Sequence, residues 1–337
     1  MQPEALNAAL AEMLRLPATF LPDVVPFAAS GNNRVFAVTA GERRYAAKVY
    51  FRHPSDNRDR LHAEFSFLSC ADRAGITCVP KPVVCDPARG IGVYEFIDGR
   101  KLSAPEIDAD CVDQAAEFIA RLNQAATRVE GRDLPDASEA CFSVSAHFSM
   151  VDRRIDRLDQ ISSGDPADRE AREFSAALKV RWGQLKSLVL KEAAAARIDP
   201  DTMLTDRCLS PSDFGFHNAL ATRERGICFI DFEYAGWDDP AKLVGDFFSH
   251  PAIPVDISHL ERFVKAVSAY AERPAEIAAR AHILFPVFQV KWCCIILNEF
   301  LPEAAKRRLF ADPGTDPAAR KRGQLKKAVS LFEHIRG

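Results

Sequence analysis

Leu209-Ser-Pro-Ser-Asp-Phe-Gly-Phe-His-Asn-Ala-Leu220, followed closely by Ile227-Cys-Phe-Ile-Asp-Phe-Glu-Tyr234, decides how this chain reads. The first segment sets Asp213 five positions before Asn218 on a tight loop, with Leu209 and Ala219-Leu220 anchoring its ends in a core. Phe214 and Phe216 give the loop packing of its own. The second segment brings Asp231 to the end of a short apolar strand, where a buried carboxylate calls for a cation or several N–H donors. A carboxylate to receive a proton, with an amide oxygen and a second carboxylate to hold a divalent cation, is what phosphoryl transfer from a nucleotide requires. Gly236, Asp238, Asp239-Pro240 and Asp246 then form an acid-rich turn leading into a helix.

Outward toward the N-terminus the texture changes. Residues 3–17 have helical periodicity stopped by Pro17, and three strand-like runs follow at 24–29, 34–39 and 45–51. A helix is expected over 58–73, closed by Gly75, and further strands over 81–85 and 91–96. Beyond Asp98-Gly99-Arg100 almost everything reads as helix: roughly 108–125, 146–161, 167–196, 258–273, 275–300 and 324–335, with 131–143 and 312–318 as loops. The expected organisation is α+β, with a small strand-rich lobe over 1–97 and a large, mostly helical lobe over 98–337.

Within the first lobe, Ser30-Gly31-Asn32-Asn33-Arg34 can turn backbone N–H groups inward as an anion cradle, or serve as an ordinary hairpin turn. It is not a GxxxxGK[ST] loop, which the chain lacks. Lys48 lies in the apolar strand Tyr45-Ala-Ala-Lys-Val-Tyr50, where its ammonium needs an anion unless the strand is an edge with a solvated lysine. Glu64, on the Phe65 and Leu68 side of the following helix, could pair with Lys48 or be a surface glutamate.

With 47% apolar and 27% charged residues, the 337-residue chain is ordinary for a globular protein and long enough for two cores. A net charge of −3 argues against a nucleic-acid binder that works by neutralising phosphates. The nine cysteines are scattered without a Cys-x-x-Cys pair and read as free, mostly buried thiols of a reducing cytosol. No secretory signal is expected at the N-terminus. The most apolar stretch, Ile283 to Leu297, is interrupted by Gln289 and Lys291 and too short to span a bilayer. A cytoplasmic protein with no membrane partner is expected.

The order of a glycine-containing loop, strand lysine, helix glutamate, Asp-x-x-x-x-Asn and strand aspartate resembles the protein-kinase-like fold. Ile230-Asp-Phe-Glu-Tyr-Ala-Gly-Trp-Asp-Asp-Pro240 with Asp246 resembles its aminoglycoside phosphotransferase and choline kinase branch, over about residues 25 to 300. The resemblance implies a small-molecule kinase that moves the γ-phosphoryl group of ATP or GTP to a hydroxyl. Asp213 would orient the hydroxyl proton, and Asn218 and Asp231 would hold Mg²⁺. Lys48, held by Glu64, would neutralise the α- and β-phosphates under Ser30, Gly31 and Asn32, with adenine beside the hinge at Glu95 and Ile97.

Two departures stand out. Kinases of this fold usually carry His two positions before the catalytic aspartate, where this chain has Pro211. Asp231 is followed by Phe232-Glu233 rather than Phe-Gly, which suits the small-molecule branch, and no Ala-Pro-Glu motif follows. A pseudokinase that binds nucleotide or a partner without chemistry is the alternative; an aspartyl-phosphate phosphatase lacks its second aspartate. Glu233, Asp238 and Asp239 either suit an amine-bearing acceptor (an aminoglycoside, amino sugar or amino alcohol) or order the loop, and a sugar acceptor stays open. His217, Trp237, Trp292, Asn298 and Glu299 can face the site or the core.

Overall fold

The computed structural model describes residues 3–17, 19–29, 33–52, 58–302 and 316–335. Helix α1 (Pro3–Met13) precedes strands β1 (Asp23–Ala29), β2 (Asn33–Ala40) and β3 (Arg43–Tyr50). Helix α2 (Arg60–Arg73) follows, then β4 (Pro82–Asp86) and β5 (Ile91–Glu95). The five strands form one antiparallel sheet in the order β1-β2-β3-β5-β4. Central β3 pairs on both edges, so Lys48, opposite Val35 on one side and Gly92 on the other, is no edge-strand lysine. Gly92 is required there, because a Cβ would come within 2.5 Å of the Tyr94 hydroxyl.

Two further small sheets carry the loops of interest. Strand β6 (Arg100–Lys101) pairs with β8 (Ala219–Ala221), which pairs with β9 (Ile227–Phe229); β7 (Cys208–Ser210) pairs with β10 (Gly236–Asp238). The Asp213 loop therefore spans the gap between β7 and β8, and Asp231 leaves the end of β9. Around them pack α3 (Ala109–Leu122), α4 (Ala125–Glu130), α5 (Val144–Leu158), α6 (Pro166–Ala195), α7 (Pro240–Ser249), α8 (Leu260–Ser268), α9 (Pro274–Leu297) and α10 (Pro317–Glu333). Caps set many of these starts: Asp59, Asp108, Ser143, Asp165, Asp239 and Asp316 each accept a backbone N–H in the first turn.

Buried apolar residues form two cores. The smaller joins Leu6 and Leu10 of α1 to Phe36, Val38, Ala47, Ile91 and Val93 of the sheet. The larger fills the helical part and also takes in Phe67, Leu68 and Ala71 of α2. Phe67 stacks on Phe232 at 5.2 Å, so α2 belongs by packing to the large core.

The expected layout holds, with local differences. Helix α10 begins at Pro317 rather than 324, because Asp316 caps it and proline starts it; of the expected 312–318 loop, residues 312–315 lie outside the described residues. Helix α1 stops at Met13, before Pro17. The expected helix over 108–125 ends at Asn123 and resumes as α4, and the one over 258–273 contracts to α8 behind a short 3-10 turn. The nine cysteines are free, five of them buried. Helix Pro274–Phe300 is long and apolar enough to cross a membrane, but 83% of its apolar window is buried inside the fold, where α9 serves as the central core helix. Inside that core Gly245 of α7 faces Phe288 of α9, and an added Cβ would lie 2.2 Å from the ring. Gly245→Ala is expected to cost about 1–3 kcal/mol through overpacking; a urea midpoint unchanged from wild type would refute this contact.

Candidate active site

The ammonium of Lys48 is the centre of charge between the sheet and the helical part. Its Nζ donates to Glu64 Oε1 at 2.7 Å and Oε2 at 2.9 Å, and to Asp231 Oδ1 at 2.8 Å. Burial alone would lower the lysine's pKa; Asp231 and Glu64 outweigh it and hold the ammonium above its ordinary range. Glu64 is buried and further bound by the Tyr50 hydroxyl (2.6 Å) and the Phe232 N–H (3.3 Å). Tyr50 in turn meets the Tyr94 hydroxyl at 2.7 Å. The helix glutamate is thus no surface residue.

Asp213 sits in a loop closed by its own backbone. Its N–H donates to Pro211 O at 3.0 Å, and Asn218 Nδ2 returns to Asp213 O at 3.1 Å and Oδ2 at 3.4 Å. Phe214 and Phe216 are buried against Phe247, as their spacing in the loop implies. His217 Nε2 lies 3.2 Å from Asp213 Oδ1, and His250 Nε2 lies 3.9 Å from the same oxygen. Burial alone would raise the Asp213 carboxyl; His217, then His250 and Asn218, hold it below the usual carboxylate range. Burial and the neighbouring His217 push His250 down to about 3, so its ring is neutral at neutral pH. The side chain of Asp213 remains 35% exposed and therefore reachable by a substrate.

Asp213, His217 and His250 present three ligand atoms within 4.8 Å of one another. The two imidazoles nevertheless stack at 3.6 Å and 3°, so no ion can lie in both ring planes. This trio is a hydrogen-bonded group. The oxygen donors lie elsewhere: Asn218 spends its amide nitrogen on Asp213, keeping its oxygen free to accept, and Asp231 is held by one carboxylate oxygen while its side chain stays 31% exposed. An amide oxygen and a carboxylate are the hard donors that suit Mg²⁺. Asp231 is also one of few non-glycine residues at positive φ (71°), which turns it off the strand end.

At the hinge, Glu95 pairs with Arg225 and accepts the Lys81 N–H at 3.2 Å, so its carboxylate is committed to protein contacts. A cavity of about 950 Å³ opens there, lined by Phe96, Ile97, Gly99, Thr222, Arg223 and Arg225 among others; Lys48, Asp213 and Asp231 are not part of its lining. Ser30, Gly31 and Asn32 lie outside the described residues; Asn33, next to them, donates to Glu233.

Several polar residues near the motif turn away. Asp238 binds Lys242 at 2.7 Å, and Asp239 binds Arg280 at 2.7 Å and His147 at 3.0 Å, both fully buried. Glu233 is buried among Asn33 and Arg60. Of the two readings of these acids, the structure shows the ordering one. Trp237 donates to Gly131 O and packs on Arg128, a core role, and Glu299 binds Arg320 of α10 rather than facing the site. Trp292 donates to Asp246 and meets the His250 ring edge-on at 4.4 Å, which places it behind the imidazoles. Sequence reasoning missed His250, Lys101, whose Nζ donates to His217 O at 2.8 Å, and Lys242; all three reach the loop from distant segments with no local motif.

A model of the phosphotransferase enzyme family matches residues 23–277. No curated protein matches the sequence. Among solved structures, a choline/ethanolamine kinase family protein from Mesorhizobium loti superposes with a TM-score of 0.60 at 20% identity, covering 99% of this chain and 95% of that one. A choline kinase from Cryptosporidium parvum gives 0.61 at 13%, covering 98% and 97%. A spectinomycin phosphotransferase in complex with ADP and spectinomycin gives 0.57 at 13%, covering 99% of both chains. The strand-rich sheet and helical part are thus a protein-kinase-like fold, and the chain belongs to the phosphotransferase enzyme family.

Proposed function

We propose that the protein transfers the γ-phosphoryl group of ATP or GTP to a hydroxyl of a small molecule. The observation that carries the reading is one ammonium, Lys48, bound by Glu64 and Asp231 within 2.9 Å, with an ionised, accessible Asp213 on the adjoining loop. In this reading Asp213 accepts or orients the acceptor's hydroxyl proton, and His217 and Asn218 keep its carboxylate turned toward the acceptor. Lys48, fixed by Glu64, neutralises the α- and β-phosphates, with the backbone of Ser30, Gly31 and Asn32 over them. Asn218 and Asp231 hold Mg²⁺, which neutralises charge on the phosphates when bound. The adenine lies beside the hinge, served by main-chain groups near Glu95 and Ile97 because the Glu95 side chain is taken by Arg225. Residues 1–97 and 98–337 are the two lobes of this reading. Its setting is the cytoplasm.

The meeting of Lys48 with Glu64 and Asp231, and of Asp213 with Asn218, favours an enzyme over a catalytically inactive nucleotide-binding module. A structural neighbour is described as bound to ADP and spectinomycin, and others are choline kinases, so acceptors bearing amines fall within the family's range. For this chain Asp238 and Asp239 have no exposure and do not meet an acceptor's amine, so a sugar is as open an acceptor as an amino alcohol, amino sugar or aminoglycoside.

Asp213→Ala is expected to lower phosphoryl transfer about 10²–10⁴-fold while leaving Mg-ATP affinity nearly unchanged. A panel of hydroxylated metabolites and aminoglycosides with a coupled ADP assay measures it, and wild-type turnover by the variant would remove the role from Asp213. Asp231→Asn is expected to weaken Mg-ATP binding more than Asp213→Asn does, because only the first removes a charge next to the cation. Calorimetric titration of both decides, equal affinities speaking against the metal role. Lys48→Met should cut turnover far more than it lowers the thermal midpoint, since the lost cation acts on the transition state; parallel losses of both would reduce Lys48 to a structural ion pair.

A further inference from the structure

The Asp213 loop starts under strain. Ser212, the residue before Asp213, has φ 66°, a left-handed conformation that non-glycine residues other than Asn and Asp seldom hold. Pro211 before it offers no side-chain donor to keep it there. The backbone stays because Ser212 is tied on three sides. Its N–H donates to Ser210 Oγ at 3.0 Å, its hydroxyl donates to Ser138 O at 3.3 Å, and the same hydroxyl accepts from Lys242 Nζ at 3.0 Å.

Lys242 is the unusual partner. It lies on the first turn of α7 and is only 1% exposed. Its ammonium also binds Asp238 Oδ2 at 2.7 Å and lies 3.4 Å from Asp246 Oδ2. Asp246 is held in turn by Lys291 at 2.7 Å and the Trp292 indole N–H at 2.8 Å. Two lysines and two aspartates thus form a neutral buried group that meets Ser212 at its hydroxyl. Asp238 and Asp246 satisfy the charge, yet the third donor direction of Lys242 goes to Ser212. A charge-assisted hydrogen bond from a fully buried, well-anchored ammonium is a stiff tether.

We propose that Lys242 is a positioning residue that holds the Asp213 carboxylate in place by fixing Ser212 in its left-handed conformation. This rests on the phosphotransferase reading above. Without the tether, Ser212 relaxes toward negative φ and swings the next residue, Asp213, away from the acceptor. Lys48 and Asp231, on other segments, keep their geometry, so nucleotide binding is spared.

The test measures Mg-ATP turnover with water and with the panel of hydroxylated metabolites and aminoglycosides as acceptors, Mg-ATP affinity and the thermal midpoint on the full chain. Ser212→Ala should lower kcat about 10- to 100-fold, the scale expected of a small misplacement, with Mg-ATP affinity within twofold of wild type. Lys242→Met should lower kcat on the same scale, and the double variant no further than Ser212→Ala alone, because Ser212→Ala already removes the Lys242 contact together with that to Ser138 O. Lys242→Met strands Asp238 without its cation and can prevent folding; Lys242→Met combined with Asp238→Asn, in which Asp246 keeps Lys291 and no charge is left unpaired, then takes its place. A Ser212→Ala enzyme with kcat within twofold of wild type overturns the proposal, as do multiplying effects in the double variant or a fall in kcat matched by falls in affinity and midpoint. A wild type that binds Mg-ATP but passes its phosphoryl group neither to water nor to any acceptor of the panel overturns the phosphotransferase reading and this inference with it, whereas turnover that Ser212→Ala leaves untouched overturns this inference alone.

Discussion

A single ammonium between two carboxylates is the constraint on which the rest of the structure depends. Lys48 stands on the central strand of the five-stranded sheet, where no edge gives it solvent, so it must be paired where it stands. Glu64 comes from the next helix and Asp231 from a strand end more than 160 residues later in the chain. Each carboxylate is therefore a tie between separately folded segments. Gly92 beside the lysine and the Tyr50 and Tyr94 hydroxyls around the glutamate give the cluster its shape. The same arrangement that satisfies a buried charge leaves a cation facing the segment that carries the metal-type donors.

The helical part solves the same problem in another way. Asp239 meets Arg280 and His147, while Asp238 and Asp246 meet Lys242 and Lys291, and all are buried. Such pairs are weak sources of net stability, since desolvation offsets most of the attraction, and removing one partner is costly. Their value lies in registering the β7–β8 loop against α7 and α9. The aromatic stack of Phe214, Phe216, Phe247 and Phe263 supplies the apolar share of the same task.

The sequence made the fold and the central residues legible because each carried local context. Asp213 and Asn218 had a fixed spacing inside a loop with its own phenylalanines, Asp231 ended an apolar run, and Lys48 was conspicuous among apolar neighbours. Their meeting is seen for Lys48, Glu64 and Asp231, and for Asp213 with Asn218. What stayed illegible depends on long-range packing. His250 follows the C-terminus of α7 and reaches Asp213 only because α7 docks beside the loop. Lys242 has apolar neighbours in Ala241, Leu243 and Val244, but nothing local names Asp238 and Ser212 as its partners. The acids after Asp231 left two readings open because their partners, Arg280, His147 and Lys242, are set by tertiary contact. The start of α10 was misplaced since the Asp316 cap and Pro317 lay in a stretch read by composition as loop.

Helix α2 carries a mechanical consequence. It is connected in sequence to the sheet, yet Phe67 stacks on Phe232, Glu64 accepts the Phe232 N–H, and Leu68 and Ala71 sink into the large core. In the sheet the small core is closed by α1 instead. The helix keeps hold of the sheet as well, where Phe65 lies against the Tyr94 ring and Glu64 accepts from Lys48 and Tyr50, so it joins the two parts. Swinging the helix outward to disengage its glutamate would strip Phe67 from its stack and open the main core. The carboxylate that orients the lysine is thus gripped from two directions, by the main core through Phe67 and Phe232 and by the sheet through Tyr50.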